Sequence, residues 1–282
     1  MDNSRENFRT EIKEYVGLLY DQFILYQDKL MDLLIEFNRI CKENNIIYFS
    51  AYGTLIGMIR HQAMIPWDYD GDVLVPITEK EKLIAALKNN LSEKYYIYCP
   101  ETVRECPHWF MRISEKGYSA SVFHLDVFYL IGAPSKKNQQ KSFQRRINLL
   151  MDLRYSKTLY PDYEYPNKLK LKCRKILRFI LKSIPMWLLK GLFNQLCYKY
   201  SFKESLYYYP TLKEDIQFFP REIFGKNIEF ETGENKFYIP ENYRENLEYI
   251  YSDFMQIPPI KSRFEEFFSS ISRLQRYEEF NK

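Results

Sequence analysis

The spacing of apolar positions changes several times along the chain. Within residues 5 to 43, Leu30, Leu33, Leu34, Phe37, Ile40 and Cys41 recur at intervals of three and four, which predicts a helix with one buried face. Asn44-Asn45 ends that pattern. IIYFSAY (46–52) is β-branched and aromatic and reads as a strand. Gly53-Thr54 and the apolar LIGMIR (55–60) then predict a switch into a short helix. Beyond Pro66, DVLVP (72–76) predicts a second strand. Thr78 and Glu81 have the spacing of a capping box, opening a helix that turns Leu83, Ile84, Leu87 and Leu91 inward. YYIYC (95–99), HWFMRI (108–113) and SVFHLDVFYLI (121–131) predict three more strands. The last two are expected to run antiparallel about the turn signal Lys116-Gly117.

From residue 136 the pattern becomes mainly helical. Two basic helical stretches are expected at 136–157 and 166–204, followed by β-like runs at IEFE (228–231) and KFYIP (236–240). ENYRENLEYIY (241–251) is helical again. An amphipathic helix from 261 carries Phe264, Phe267, Phe268, Ile271 and Leu274. No repeat or low-complexity linker divides the chain. The expectation is one α+β domain spanning 1–282: N-terminal helices over 1–45, a core of mixed or antiparallel sheet over 46–135, and a mainly helical extension over 136–282.

Composition narrows the classes. The chain has 282 residues, 46% hydrophobic and 28% charged, with a net charge of only +4. A nucleic-acid protein carries a stronger or more clustered excess, so no nucleic-acid partner is expected. The five Cys are odd in number and irregularly spaced, without a CxxC. That argues against a disulfide framework and for a reducing, cytoplasmic setting. Cys99, Cys106 and His108 lack an obvious fourth zinc ligand, which favours ordinary thiols. MDNSRENFRTEIKEY is too polar for a signal peptide, and no run reaches the ~18 apolar residues of a membrane span. The segment 168–193 is basic and amphipathic, with Leu169, Ile176, Phe179, Ile180, Trp187 and Leu188 on its apolar side. It reads either as a surface helix covering the core or as a helix lying on the anionic inner face of the plasma membrane. Pro185 should kink or end it.

The chemistry concentrates in PWDYDGDVLV (66–75), where Asp68, Asp70 and Asp72 alternate. Residues two apart on a strand share a face, roughly 6–7 Å apart. Two carboxylates there repel by ~2–3 kcal/mol at an effective dielectric near 20. Val73 and Val75 anchor the strand in a core, so a shared hard cation is the natural relief, Mg²⁺ (or Mn²⁺) where phosphates complete the shell. Asp126, in FHLDVFYLI, is a third acid in an apolar strand, expensive unless paired or metal-bound. Pairing with Arg112 or His124 is the alternative to catalysis. Arg112 in turn reads as either a phosphate contact or that ion-pair partner. Upstream, the Gly53-Thr54 turn offers backbone N–H groups at a helix start to a phosphate, and Arg60 and His61 add positive charge.

AYGTLIGMIRHQAMIPWDYDGDVLVP (51–76) resembles the signature of the LicD family of phosphocholine transferases, related to the fukutin-related phosphotransferases. HLDVFYLIGAP (124–134) resembles the family's later acidic strand, and FYIPENYRENLEYIYSDFMQIPP (237–259) its C-terminal signature. The resemblance implies a nucleotidyltransferase-like fold. It also implies metal-dependent transfer of a phospho-alcohol from a CDP-alcohol, CDP-choline foremost, to a sugar hydroxyl of a cell-surface or lipid-linked glycan. By position, Gly53 and Thr54 match the turn that holds donor phosphate, and Asp70 and Asp72 match the metal pair. Asp126 matches the third carboxylate, binding metal or taking the acceptor's proton. Arg60 and His61 match an Arg-His step at the donor; apart from the resemblance, Asp68 and Arg112 are further candidate substrate contacts. Nucleotidyl transfer, or a catalytically silent membrane-associated role in glycan assembly, are the alternatives. The chain departs from the pattern at four places: Tyr69 replaces an acid, Gly71 an Ile, Tyr129-Leu130-Ile131 a Pro-Leu-Asp, and Ser252 the Gly of a Tyr-Gly-Asp. The alcohol and the acceptor sugar are left open.

Overall fold

The apolar stripe of the first forty residues winds into one 41-residue helix, α1 (Asn3–Glu43), rather than several. Phe8, Tyr20, Phe23, Leu30, Leu33, Phe37 and Ile40 bury along it. The computed structural model describes residues 3–158, 172, 176, 179–181, 183–212 and 218–280. The expected α+β organisation is present, with helices around a mixed seven-stranded sheet. Its strands are β1 (Phe49–Ser50), β2 (Gly71–Pro76), β3 (Tyr95–Tyr98), β4 (Met111–Glu115), β5 (Leu125–Ala133), β6 (Tyr207–Pro210) and β7 (Phe219–Pro220).

Strand β5 is the centre. It runs parallel to β2 on one side and antiparallel to β4 and then β6 on the other. All nine of its residues are buried, which is why its sequence is apolar almost throughout and not alternating. β1 closes one edge against β2, and β3 the other against β4. A separate hairpin pairs β8 (Asn227–Thr232) with β9 (Asn235–Pro240). The remaining helices are α2 (Tyr52–Ile56), continued by a π turn at Gly57–His61, then α3 (Lys80–Asn90), α4 (Lys137–Thr158), α5 (Met186–Cys197), α6 (Tyr243–Tyr251) and α7 (Ile260–Phe280). Among the described residues no helix is long and apolar enough to cross a membrane.

Several boundaries differ from the sequence reading for identifiable reasons. The strand expected at 46–52 shrinks to two residues: Ile46 N–H bonds back to Cys41 O, and the Tyr48 hydroxyl donates to Asn38 Oδ1. The Thr78–Glu81 capping box does not form, because Ile77–Glu79 makes a 3₁₀ turn and α3 starts at Lys80 with Glu79 as an N-cap that makes no side-chain bond. Lys80 is itself buried and paired with Glu101 at 3.0 Å. The strand expected at 108–113 begins only at Met111. Trp109 leaves the ladder to stack on Phe193, centroids 4.6 Å apart, and to donate to Leu150 O. The strand expected at 121–131 begins at Leu125, since Val122 and Phe123 fold back onto Ser119 O. Of the expected helix at 166–204, α5 lies within the described residues, while Leu169 and its neighbours lie outside them. The tyrosine run 207–210 is strand β6, with Tyr208 and Tyr209 buried.

The two faces of the sheet do different work. Val73, Val75, Met111, Ile113, Val127 and Tyr129 face the main core shared with α1 and α3. Leu74, Phe110, Phe128 and Leu130 face a smaller aromatic cluster with Tyr208, Phe219 and Phe224. Asp72, Arg112 and Asp126 fall on this second face by strand alternation.

Candidate functional site

Register places the charged residues. Asp72 stands directly opposite Asp126 across the parallel β2–β5 ladder, and Arg112 stands opposite Asp126 across the antiparallel β5–β4 ladder. Opposed residues share a face, so Asp72, Asp126 and Arg112 form one row across three strands. Arg112 grips Asp126 with two bonds, Nε to Oδ1 at 2.7 Å and Nη2 to Oδ2 at 3.3 Å, and its Nη1 donates to Ala120 O at 3.0 Å. His124 Nε2 lies 3.5 Å from Asp126 Oδ2. The ion-pair reading of Arg112 is therefore present in the structure, and it orients Asp126 within the row.

Asp68 and Asp70 sit on the loop that enters β2. That loop is pinned from α1, where the buried amide of Gln27 donates to Ile65 O and Asp68 O at 2.8 and 2.6 Å. The residue before it on the same helix, Tyr26, donates its hydroxyl to Val122 O at 2.8 Å, pinning the loop that enters β5. One helix thus fixes both approaches to the row. The Asp68 carboxylate accepts from Tyr69 N–H at 2.9 Å and shares a hydrogen bond with Asp70. Burial first, and Asp70 second, push the Asp68 carboxyl well above the usual carboxylate range. Asp72 is pushed up in the same way by burial and by the charges of Asp70, Asp126 and Asp68, against a smaller opposing pull from Arg112. These acids repel one another within one small volume.

The Gly53-Thr54 turn abuts this loop. Ala51 is extended, Tyr52 takes φ +50°, and α2 begins. A bulky residue in the left-handed region is uncommon and marks a turn held by its surroundings. Gly53 is required for space: a Cβ there would collide with the Asp68 carboxylate. Thr54 does not face outward. Its buried hydroxyl accepts from Asp72 N–H at 2.8 Å and so locks the start of β2 to the turn. Arg60 likewise works on the protein itself, donating from Nη1 to Phe254 O at 2.7 Å and Gln256 O at 3.1 Å, and from Nε to His61 Nε2 at 2.9 Å. His61 is buried edge-on against Trp67.

All of this surrounds a cavity of about 820 Å³. Of the residues singled out from sequence, Gly53, Arg60, Asp68, Asp70, Asp72, Arg112 and Asp126 line it, whereas Thr54 and His61 lie behind its wall. Part of the remaining wall comes from Tyr249, Tyr251, Asp253 and Gln256, and from Glu266 on α7. Glu266 is solvent-accessible through the cavity and bonds to Trp67; burial and Asp70 raise its pKa. Six carboxylates and two guanidiniums line the space, and one of those guanidiniums is committed to Asp126 and the other to backbone carbonyls. Among the described residues no three His, Cys, Asp or Glu side chains stand in ready metal-binding geometry. Asp70, Asp72 and Asp126 are therefore not a closed three-ligand set, and Cys99, Cys106 and His108 are not a zinc site. His108 instead stacks on Phe110 at 4.6 Å, with burial pressing its pKa down to about 3.

Two departures from the family pattern have visible consequences. Gly71 is buried in β2 and paired with Leu125, whose Cδ1 would lie 3.1 Å from an added Cβ, so Leu125 and Leu30 fill the space an Ile would need. Ser252 ends α6 at φ 58° and ψ −103°, a conformation that glycine adopts at little cost. Ser252→Gly is accordingly expected to stabilise the protein by about 1 kcal/mol, read as a higher unfolding midpoint in urea. An unchanged or lower midpoint contradicts the strain.

Gln27, Tyr26 and Glu266 were not singled out from sequence. Gln27 had a signal, a polar residue on an apolar helix face. Glu266 had none, since acids are ordinary on an amphipathic helix.

Residues 45–147 match the family described as LicD/FKTN/FKRP, nucleotidyltransferase domain. The chain is also 24% identical over 256 residues to the lipopolysaccharide cholinephosphotransferase LicD of Haemophilus influenzae, an alignment covering 81% of this chain and 89% of that protein.

Proposed function

We propose, from the match of residues 45–147 to the LicD/FKTN/FKRP nucleotidyltransferase domain and the similarity to the Haemophilus cholinephosphotransferase, that this chain is a metal-dependent phosphotransferase of the LicD kind. It moves a phosphocholine-like phospho-alcohol from a CDP-alcohol to a sugar hydroxyl of a cell-surface glycan or lipid-linked oligosaccharide, working on the cytoplasmic side. The observation that carries this reading is the row Asp72–Asp126–Arg112, which opens on the same cavity as Asp70 and the Gly53 turn.

The lining supports a cation. An anionic pyrophosphate meets a wall richer in carboxylates than in guanidiniums, so it needs positive charge that the protein does not supply. Hard carboxylate oxygens suit Mg²⁺ or Mn²⁺. Asp70 and Asp72 would hold it, and when bound it supplies charge neutralisation at the pyrophosphate. The protein's own residues do the positioning. Thr54 fixes Asp72, and Gln27 fixes the Asp68–Asp70 loop. Arg112 holds Asp126 at a fixed angle, where it accepts or orients the proton of the acceptor hydroxyl. Arg60 holds the 254–256 loop that closes one side. Most of the acceleration then comes from placement and preorganised charge.

The test is ³¹P NMR of purified protein with Mg²⁺, a sugar acceptor and a panel of CDP-alcohols. CMP release with the phospho-alcohol on the acceptor is expected, greatest with CDP-choline and lost with chelator. CMP on the acceptor would show nucleotidyl transfer instead, and no turnover with any donor would point to a silent assembly role.

A further inference from the structure

The strongest feature outside the cavity is a segment that is at once basic and unusually apolar on its outside. Residues 165–203 hold ten Lys or Arg and no Asp or Glu, in a chain whose net charge is only +4, so the remainder of the chain is net acidic. The described part of the segment exposes Ile176, Phe179, Ile180, Trp187, Leu188 and Leu192, with Phe179 at 75% and Trp187 at 74%. These residues fall on both sides of the turn at Ser183–Pro185. The inner side of α5 is ordinary core, with Leu189, Phe193 and Cys197 buried. The outer side therefore leaves large apolar side chains in water, each giving up roughly 1.5–3 kcal/mol of burial; a monomeric soluble surface seldom collects them.

We infer that this surface docks on an anionic lipid bilayer, with Phe179, Ile180 and Trp187 entering the interface and the segment's excess of basic charge drawing it to the headgroups. Charge selects the occupant. A lipid surface bearing negative headgroups satisfies both the apolar and the basic character. A second copy of the chain would instead bring two acid-free, tenfold-basic segments face to face. None of these residues lines the cavity, so the inference stands whether or not the transfer reaction is as proposed.

Trp187 makes the test direct, because Trp67 and Trp109 are already buried at 3% and 2%. Full-length protein is mixed with vesicles of phosphatidylcholine alone or containing phosphatidylglycerol, and tryptophan emission and flotation are followed. Expected are flotation and a blue shift with the anionic vesicles, weak binding to neutral ones, and loss of the shift but not of flotation in Trp187→Phe. Phe179→Ser with Trp187→Ser should weaken binding at least tenfold with no fall in thermal midpoint. Lys168→Glu, Lys170→Glu and Lys172→Glu together should weaken it by roughly a hundredfold. No flotation with anionic vesicles, equal binding to neutral ones, or a Trp187-dependent dimer in place of vesicle binding would overturn the proposal.

Discussion

Asp72→Asn is expected to abolish transfer and at the same time to raise the thermal stability of the metal-free protein. Asp72 lies opposite Asp126 and close to Asp70 and Asp68, and burial with these three charges holds its carboxyl well above 3.8. A group that resists ionisation in the fold lowers stability once it is forced to ionise. For an acid with a raised folded pKa, the unfolded chain gives up its proton first, so stability falls as pH rises from 3.8 through the folded value. The neutral, equally sized amide removes that cost. The gain is largest at neutral pH, on the order of 1 kcal/mol or a few degrees in midpoint, and fades as pH falls towards 3.8. Turnover, by contrast, should fall about 10³-fold or more, because the amide cannot neutralise a cation at the pyrophosphate. The main chain at Asp72 keeps its bond to Thr54, so the strand stays in place. Full activity in saturating Mg²⁺, or a protein that unfolds, contradicts this.

Arg112→Met is the second large effect, and it acts through both stability and rate. Arg112 and Asp126 are 15% and 9% exposed in their side chains, and the guanidinium uses its fork on both oxygens. Removing the cation leaves the Asp126 carboxylate beside the other acids of the row, and Ala120 O loses its donor. The cost expected is about 3 kcal/mol, at the lower end for a buried pair because neither partner is fully enclosed. Arg112→Lys separates the two roles. A single ammonium restores charge without the planar fork, so the fold should recover most of its stability while turnover stays roughly a hundredfold down. Urea midpoints and steady-state rates on the two variants measure this. An Arg112→Met protein as stable and active as the parent would show that the row is not organised by this pair.

Local chemistry accounts for what the sequence makes legible. Asp72 at the start of an apolar strand, and Asp126 in another, were legible as a pair because strand alternation fixes their face, whereas Asp68 and Asp70, read as continuing that strand, lie on the loop before it. The family resemblance adds the order of the motifs. Direction of action was not legible. Thr54 and Arg60 read as substrate contacts, yet Thr54 holds Asp72 N–H and Arg60 holds the carbonyls at 254 and 256. Both are polar groups next to buried backbone, and only the folded neighbours decide whether a donor faces solvent or main chain. The boundaries at 46–52 and 108–113 moved for the same reason, since Tyr48 and Trp109 found partners outside the sheet. Glu266 reaches the cavity across more than 190 residues of chain, through the packing of Phe267 on Phe8, Tyr20 and Phe23 of α1. No local pattern encodes such a contact.

The account turns on a cation shared by the carboxylates at the entrance of β2. Crystals grown with Mn²⁺ and CDP-choline, measured for anomalous scattering, locate it directly. A peak within bonding distance of the Asp70 and Asp72 carboxylates, absent from the Asp72→Asn protein, is the predicted result; donor bound in the cavity with no manganese at those two residues would contradict it.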